Sequence, residues 1–474
     1  MAFEAVEARV APGVAPVGAG DAAADRVRPQ RYDLAGAIRV VRKMETSAAR
    51  SAVFAEITQK NAAYRLVDRL YSRADARLIQ PLLLLAYMLK CVLSVGPSYS
   101  EGAEAVSISQ FPNEHRTIDR VAALVPDVRL MRLALSHRQL LARGQWREAA
   151  IMLGGAGRIF RFLRLLAHTH SFMPAARIAS ALAFYIRFTR LFAGDPNLGA
   201  AIVASNYSPE AVGMAAAAHR HGRRVIYANH APVPANGAVV PPVLADCALF
   251  YGSAIRQTYE RRSRCLAEVA LIGQPGTARP MQWRDRVETI GIFLTAGTRV
   301  DVLQSLVATI RLSFADARII IRQHPVTLLQ TNIAAIGIKD PLTELTIGSP
   351  LDADIAACDI VICGNSGVAL NVVSGGRPVA YLASLDDAGF DTNGFVQSRL
   401  VYAMPWWTDD LYDRLKAFYQ VPGWAAIMQS YDAAYGIDKR ELLSAAAEVL
   451  ARHLRLGPSA DRSKVPAPDL RQVA

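Results

Sequence analysis

Residues 359–382 read Asp-Ile-Val-Ile-Cys-Gly-Asn-Ser-Gly-Val-Ala-Leu-Asn-Val-Val-Ser-Gly-Gly-Arg-Pro-Val-Ala-Tyr-Leu. The apolar run Ile360 to Cys363 reads as a buried strand, Gly364 to Gly367 as a tight turn, Val368 to Val373 as a helix, and Pro378 to Leu382 as the next strand. That is one βαβ unit. The turn sets Asn365 and Ser366 where the helix begins, so free backbone N–H groups and the positive end of the helix dipole are expected to converge on one point. A phosphate suits it.

Working outward, Ala317–Gln323 is a second β-branched strand, and it ends in His324-Pro325. In a parallel sheet the carboxyl ends of neighbouring strands line one crevice, which puts His324 and Ser366 on the same ligand. The pattern predicts a diphosphate cradle. A further strand, Thr289–Thr295, precedes the turn Ala296-Gly297-Thr298 and a helix.

The same rhythm runs upstream from residue 200. Ala200–Ala204 is a strand; Ser208 caps a helix with Pro209 at its first position, and Gly222 stops it. Arg224–Ala228 is the next strand and ends at Asn229-His230. Strands over 246–252 and 268–272 close this half, and Ala105–Gln110, the loop 111–115 and a helix to Leu124 open it. Two or three short helices are expected between Tyr32 and Tyr71. After Pro405, helices are expected over 408–419 and 439–454. The fold class is α/β: two Rossmann-like domains facing each other across a cleft, with extra N-terminal helices. The expected plan is a disordered tail over 1–30, a first domain over 31–273 with helical insertions, a linker over 274–288, a second domain over 289–456, and a disordered tail over 457–474.

A length of 474 residues with 52% hydrophobic content supplies more than one core. The five cysteines have no C-x-x-C spacing and read as reduced core residues of a cytosolic protein, without a metal site. The formal charge is +12, and residues 31–193 hold it: 24 Lys and Arg stand there against 11 Asp and Glu. Such a field draws nucleic acid, an anionic membrane or an acidic acceptor. Aromatic-rich nucleic-acid signatures are absent, so nucleic acid is not an expected partner. The first 30 residues lack an uninterrupted apolar core and give no secretory signal.

Leu78–Val95 is the most hydrophobic segment, but Pro81 and Lys90 interrupt it, and a buried or interfacial helix is expected rather than a span. In the helical stretch 144–193, Arg158, Arg161, Arg164 and His168 recur along one face beside Ile159, Phe162, Leu163 and Leu166. Such a helix either shows a solvated basic face or lies on an anionic bilayer.

Two Rossmann-like halves, a Gly273-Gln-Pro linker, His324-Pro325 after a strand and Gly364-Asn-Ser-Gly367 together resemble the GT-B glycosyltransferases. More narrowly they resemble the capsule, polysialic-acid and teichoic-acid type transferases. The resemblance covers roughly residues 100 to 455. It implies a metal-independent transferase with no cofactor beyond its nucleotide-sugar substrate; the cysteines set it in the cytoplasm, and the basic first half leaves open a peripheral position on the inner membrane face. Its acceptor would be a glycan or lipid-linked chain in surface polysaccharide synthesis. Carried over by position, His324, Pro325, Asn365, Ser366 and Gly367 bind the donor phosphates, with Gly297 and Thr298 in the same cleft. Asn229-His230-Ala231 stands where some of these families carry a Trp-His-Gly or Gln-His-Gly motif, which makes His230 a candidate general base. Ser109–His115 replaces the acidic motif of polysialyltransferases, and Glu114 is the second candidate base.

Each residue also has a plainer reading. His324 turns a chain before Pro, Ser366 caps a helix, and Asp386, Asp387 and Asp391 form a solvated loop or reach the donor sugar. Asp352-Ala-Asp354 has the spacing of a metal-binding pair but lies at a helix start, where Asp is a common cap. A UDP-sugar 2-epimerase shares the fold and an Asp-Ser-Gly-Gly turn, yet this chain has Ala369, Leu370 and Asn371 where that family places acidic residues. A non-catalytic nucleotide-binding scaffold is the other alternative.

Overall fold

The computed structural model describes residues 33–455 apart from 97–101, 136–149, 151–155, 277, 296, 325–336, 339 and 388. Pro325 and both expected tails lie outside the described residues. Among the described residues four helices come first: α1 (Leu34–Glu45), α2 (Ala48–Lys60), α3 (Ala62–Arg73) and α4 (Ile79–Ser94). Then follow β1 (Ala105–Ser109), α5 (Pro112–Leu124), β2 (Leu130–Ala134), α6 (Ala156–Thr169), α7 (Phe172–Gly194), β3 (Ala200–Val203) and α8 (Pro209–Arg220). The first half ends with β4 (Arg224–Ala228), β5 (Cys247–Phe250), α9 (Ser253–Arg262) and β6 (Glu268–Leu271).

The second half comprises β7 (Thr289–Phe293), α10 (Val300–Ser313), β8 (Arg318–Arg322), β9 (Thr343–Thr346), α11 (Leu351–Ala357), β10 (Ile360–Cys363) and α12 (Val368–Ser374). It continues through β11 (Val379–Tyr381), β12 (Tyr402–Ala403), α13 (Leu411–Tyr419), α14 (Trp424–Tyr431) and α15 (Lys439–Arg455).

The strands build two parallel six-stranded sheets, ordered β2-β1-β3-β4-β5-β6 and β12-β11-β10-β7-β8-β9. Strands such as Ile360–Cys363 are buried throughout, as expected when helices cover both faces of a parallel sheet. Each order reverses once, between β1 and β3 in the first sheet and between β7 and β10 in the second. A crevice opens outside the carboxyl ends of the strands at such a reversal, and ligands of open α/β sheets bind there.

One apolar core surrounds each sheet. The last helix, α15, falls within the second domain on the sequence boundaries, yet its Ala446 and Leu450 are buried in the core of the first sheet. The chain therefore crosses between the halves twice. At the first crossing Arg120 of α5 donates to the carbonyls of Ile272, Gly273 (2.8 Å) and Gln274 (3.2 Å). At the second, the fully buried Asp432 accepts from Gln274 N (2.9 Å), Ser374 Oγ (2.9 Å) and Ala434 N (3.1 Å). Lys439 Nζ donates to the carbonyls of Gln274 (2.9 Å) and Gly276, so the two crossings brace each other.

The basic helix takes the solvated arrangement. Arg158, Arg161, Arg164 and His168 of α6 are exposed, while Ile159, Phe162, Leu163 and Leu166 are buried and the helix packs on α4 and α7. Its apolar side is spent on the core and is not free to enter a bilayer. Among the described residues no helix is long and apolar enough to cross a membrane.

Candidate functional site

A cavity of about 510 Å³ lies between the halves. From the first half it is lined by Arg116 and Arg120 of α5, His230 after β4, and Tyr251; from the second by Asp352, Gly367 and Asn371; Gln274 of the crossing forms part of the wall. Gly367 touches the first half directly: a Cβ built there would lie 3.2 Å from Pro232 Cδ and Cγ. The carboxyl end of β10 thus meets the loop that follows β4.

His230 is held by its ring. Its Nδ1 lies 2.5 Å from the carbonyl oxygen of Ala204, at the carboxyl end of β3 beside the first sheet's reversal point. A carbonyl only accepts, so Nδ1 carries the proton and donates it, which leaves the lone pair of the neutral ring on Nε2. A fixed imidazole with an unprotonated Nε2 is the form that takes a proton from a hydroxyl.

Glu114 is placed differently. It is buried at the third position of α5, and its Oε2 accepts the N–H groups of Gln110 (2.8 Å) and Phe111 (3.2 Å), the carboxylate arm of a capping box. Both bonds hold the turn after β1 and commit the carboxylate to structure. The adjacent His115 has its Nδ1 2.7 Å from Ser109 Oγ.

The turn after β10 forms where the sequence puts it, but four of the N–H groups there already have partners. Asn365 N donates to the buried carboxylate of Asp386, Ser366 N to Gly364 O (2.8 Å), Val368 N to Ser366 Oγ (3.3 Å), and Ala369 N to Ser366 O (3.3 Å). The Asn365 side chain exchanges two bonds with Thr392, Nδ2 to Oγ1 at 2.6 Å and Thr392 N to Oδ1 at 3.0 Å. The open cradle expected here is filled by the chain's own carboxylate. Helix α12 has seven residues, so its dipole adds little to the turn. Gly364 makes room for this arrangement, since a Cβ there would sit 2.3 Å from Asp386 Oδ2.

Gly297 and Thr298 stand across the reversal point from this turn, after β7. Gly297 O accepts from Asp387 N (2.9 Å), and Thr298 Oγ1 accepts from Thr295 N (3.0 Å). His324 follows β8 and is half-buried; burial lowers its pKa below the ordinary histidine value and favours the neutral ring. Of the described residues read as phosphate binders, Gly367 lines the cavity; His324, Asn365, Ser366, Gly297 and Thr298 follow β8, β10 and β7 and are not part of its lining. Asp352 and Asp354 do not converge: Asp352 is exposed at the cavity, and Asp354 is buried in an ion pair with Arg322. Among the described residues no three His, Cys, Asp or Glu are grouped to hold a metal ion.

No protein-family model and no curated protein matches this chain. Solved structures do resemble it. The UDP-GlcNAc 2-epimerase of Neisseria meningitidis, bound to UDP-GlcNAc, is 10% identical over 74% of this chain and 99% of its own, with a TM-score of 0.47. The calicheamicin glycosyltransferase CalG4 is 10% identical over 75% and 100%, with a TM-score of 0.43. The glycosyltransferase VinC, in complex with dTDP, is 12% identical over 74% and 100%, with a TM-score of 0.39. One fold hosts many chemistries, so the reaction is argued from the site itself.

The sequence missed Arg116, Arg120 and Asn371. The two arginines are four apart on α5, which places them on one helix face, and that spacing was legible. The direction of Arg120 toward the carbonyls of Ile272, Gly273 and Gln274, some 150 positions on, was not.

Proposed function

We propose that this protein is a glycosyltransferase that uses a nucleotide-sugar donor and a hydroxyl acceptor, with His230 as the general base. The observation that carries the reading is His230, fixed through Nδ1 by Ala204 and lining the cavity with Gly367 of the other half. His230 Nε2 takes the proton of the acceptor hydroxyl as its oxygen bonds to the anomeric carbon. The bond from that carbon to the phosphate oxygen breaks, and the nucleotide leaves with the electron pair. Gly297, Thr298, Asn365, Ser366, Gly367 and His324 follow the carboxyl ends of β7, β10 and β8 and would hold the nucleotide diphosphate once the Asp386 carboxylate gives up the Asn365 N–H. Arg116 and Arg120 place positive charge in the cavity, where the leaving group develops negative charge. A glycan or lipid-linked acceptor of a surface polysaccharide fits the basic first half.

A thermal-shift screen of the purified protein against CMP, CDP, UDP, GDP and their sugars tests this. One nucleotide is expected to raise the melting temperature of the parent and not of a His324→Ala, Ser366→Ala variant. No shift with any nucleotide, or donor epimerised at C2 without an acceptor, overturns the reading.

A further inference from the structure

Helix α3 and the start of α4 carry large apolar side chains on the outside of the molecule. Leu66 is 59% exposed, Leu70 53%, Leu78 54%, Ile79 49% and Leu82 47%. Leu66 and Leu70 are one turn apart and share a face of α3. Another face seats that helix: Tyr71 is buried, with its ring centroid 5.4 Å from that of Phe172. Gln80 Nε2 donates to the carbonyls of Tyr71 (2.8 Å) and Ala74 (3.2 Å), which ties the first turn of α4 to the last turn of α3. The two apolar groups therefore belong to one corner of the protein.

Arginines border that corner. Arg65, Arg69 and Arg73 recur every four residues beside Leu66 and Leu70, and Arg77 precedes Leu78; all four are exposed. Asp68 and Asp75 stand nearby, and an Asp75 carboxylate oxygen accepts from Arg77 N at 2.7 Å, holding the turn. Apolar tips beside guanidinium groups match the boundary of an anionic bilayer, where leucines enter the acyl region and arginines stay at the phosphates. A second copy of the chain would set arginine against arginine and is disfavoured by that repulsion.

We propose that the α3–α4 corner docks this protein on an anionic lipid surface. Its apolar tips are exposed, in contrast to those of α6, and it does not depend on the transfer reaction proposed above.

The test is co-sedimentation of the full chain with vesicles of phosphatidylcholine alone and with about one-third phosphatidylglycerol. Binding to the anionic vesicles only is expected. Each basic side chain near such a surface contributes about fivefold, so Arg65→Gln, Arg69→Gln, Arg73→Gln, Arg77→Gln together should weaken binding by on the order of a hundredfold or more. Leu66→Ser, Leu70→Ser, Leu82→Ser should weaken it at least tenfold while the protein still unfolds in one transition a few degrees lower, because about half of each side chain is already in water. An Arg158→Gln, Arg161→Gln, Arg164→Gln variant should lose far less than the α3–α4 arginine set. The proposal is overturned if the parent ignores anionic vesicles, if the α6 variant loses as much, or if the leucine variant binds vesicles normally. In the last case, a fall in mass by light scattering would make the corner a contact between copies.

Discussion

Replacing His230 with Asn separates its two ring functions. The Asn side-chain N–H can take the place of Nδ1–H against the Ala204 carbonyl, now 2.5 Å away, so the loop after β4 keeps its anchor. Nothing in Asn replaces the Nε2 lone pair. A positioned general base contributes about 10²- to 10⁴-fold, which is roughly 3 to 5 kcal/mol of barrier. Folding stability should fall by less than the ~1 kcal/mol of one neutral hydrogen bond. The assay is nucleotide release from the sugar donor selected by the thermal-shift screen, with the shift itself as the binding control. The expected result is kcat down at least a hundredfold with nucleotide binding retained. ¹⁵N NMR of histidine-labelled protein examines the premise, since the His230 Nδ1 should carry the proton. An Asn variant that keeps more than a tenth of the rate, or a ring protonated at Nε2 alone, refutes the reasoning.

Asp246 supplies a pH-dependent prediction. Burial pushes its pKa up, but hydrogen bonding and charge from His219 (3.1 Å), with Val225 N (2.8 Å) and Arg224 (3.0 Å), outweigh it and hold the pKa at about 2. A carboxylate depressed on folding stabilises above its unfolded value and loses that contribution as pH falls through the folded one, here from near 4 to near 2. Asp246→Asn should lower stability to urea by about 2 kcal/mol at pH 7, and the gap from the parent should close over that window; a gap independent of pH would count against the linkage. Asp386→Asn removes negative charge from the turn after β10, so nucleotide diphosphate should bind several-fold more tightly while the melting temperature drops; weaker binding would mean that Asp386 does not compete with phosphate. Gly252→Ala would place a Cβ 2.2 Å from Ser430 O and 2.6 Å from Tyr431 C, backbone atoms of the second crossing. It should cost on the order of 2 kcal/mol and lower the melting temperature by several degrees, whereas Gly276→Ala, with nothing within 4 Å, should leave it unchanged.

The strands that the sequence shows best are those it had to bury on both faces. Ile360–Cys363 and Arg224–Ala228 fall on the expected residues because β-branched runs between turn residues leave little alternative. Thr343–Thr346 went unread: Thr-Glu-Leu-Thr is half-exposed at the edge of its sheet and has no apolar run. Helix Trp424–Tyr431 was also unread; it begins at Gly423, whose φ of 94° lets the chain turn into it without a side-chain cap. Glu114 was legible as more than a loop carboxylate, since Pro112 followed by Glu114 announces a helix start with its own cap. The candidate residues were legible by their places after strands and not by their partners. His230 stands out as a histidine after a strand, but its tautomer depends on Ala204, and Asn365 depends on Asp386, contacts that no local pattern carries.

The return of α15 to the first sheet sets an order of events during synthesis. Ala446 and Leu450 close the core around β1 to β6, although more than 160 residues separate them from β6. A ribosome that has finished the first half has made all of its strands and not its last wall, so that half waits with apolar surface open while the second half emerges and folds. The first core is completed by α15, and a chain cut short near residue 436 would carry two sheets and one unfinished core.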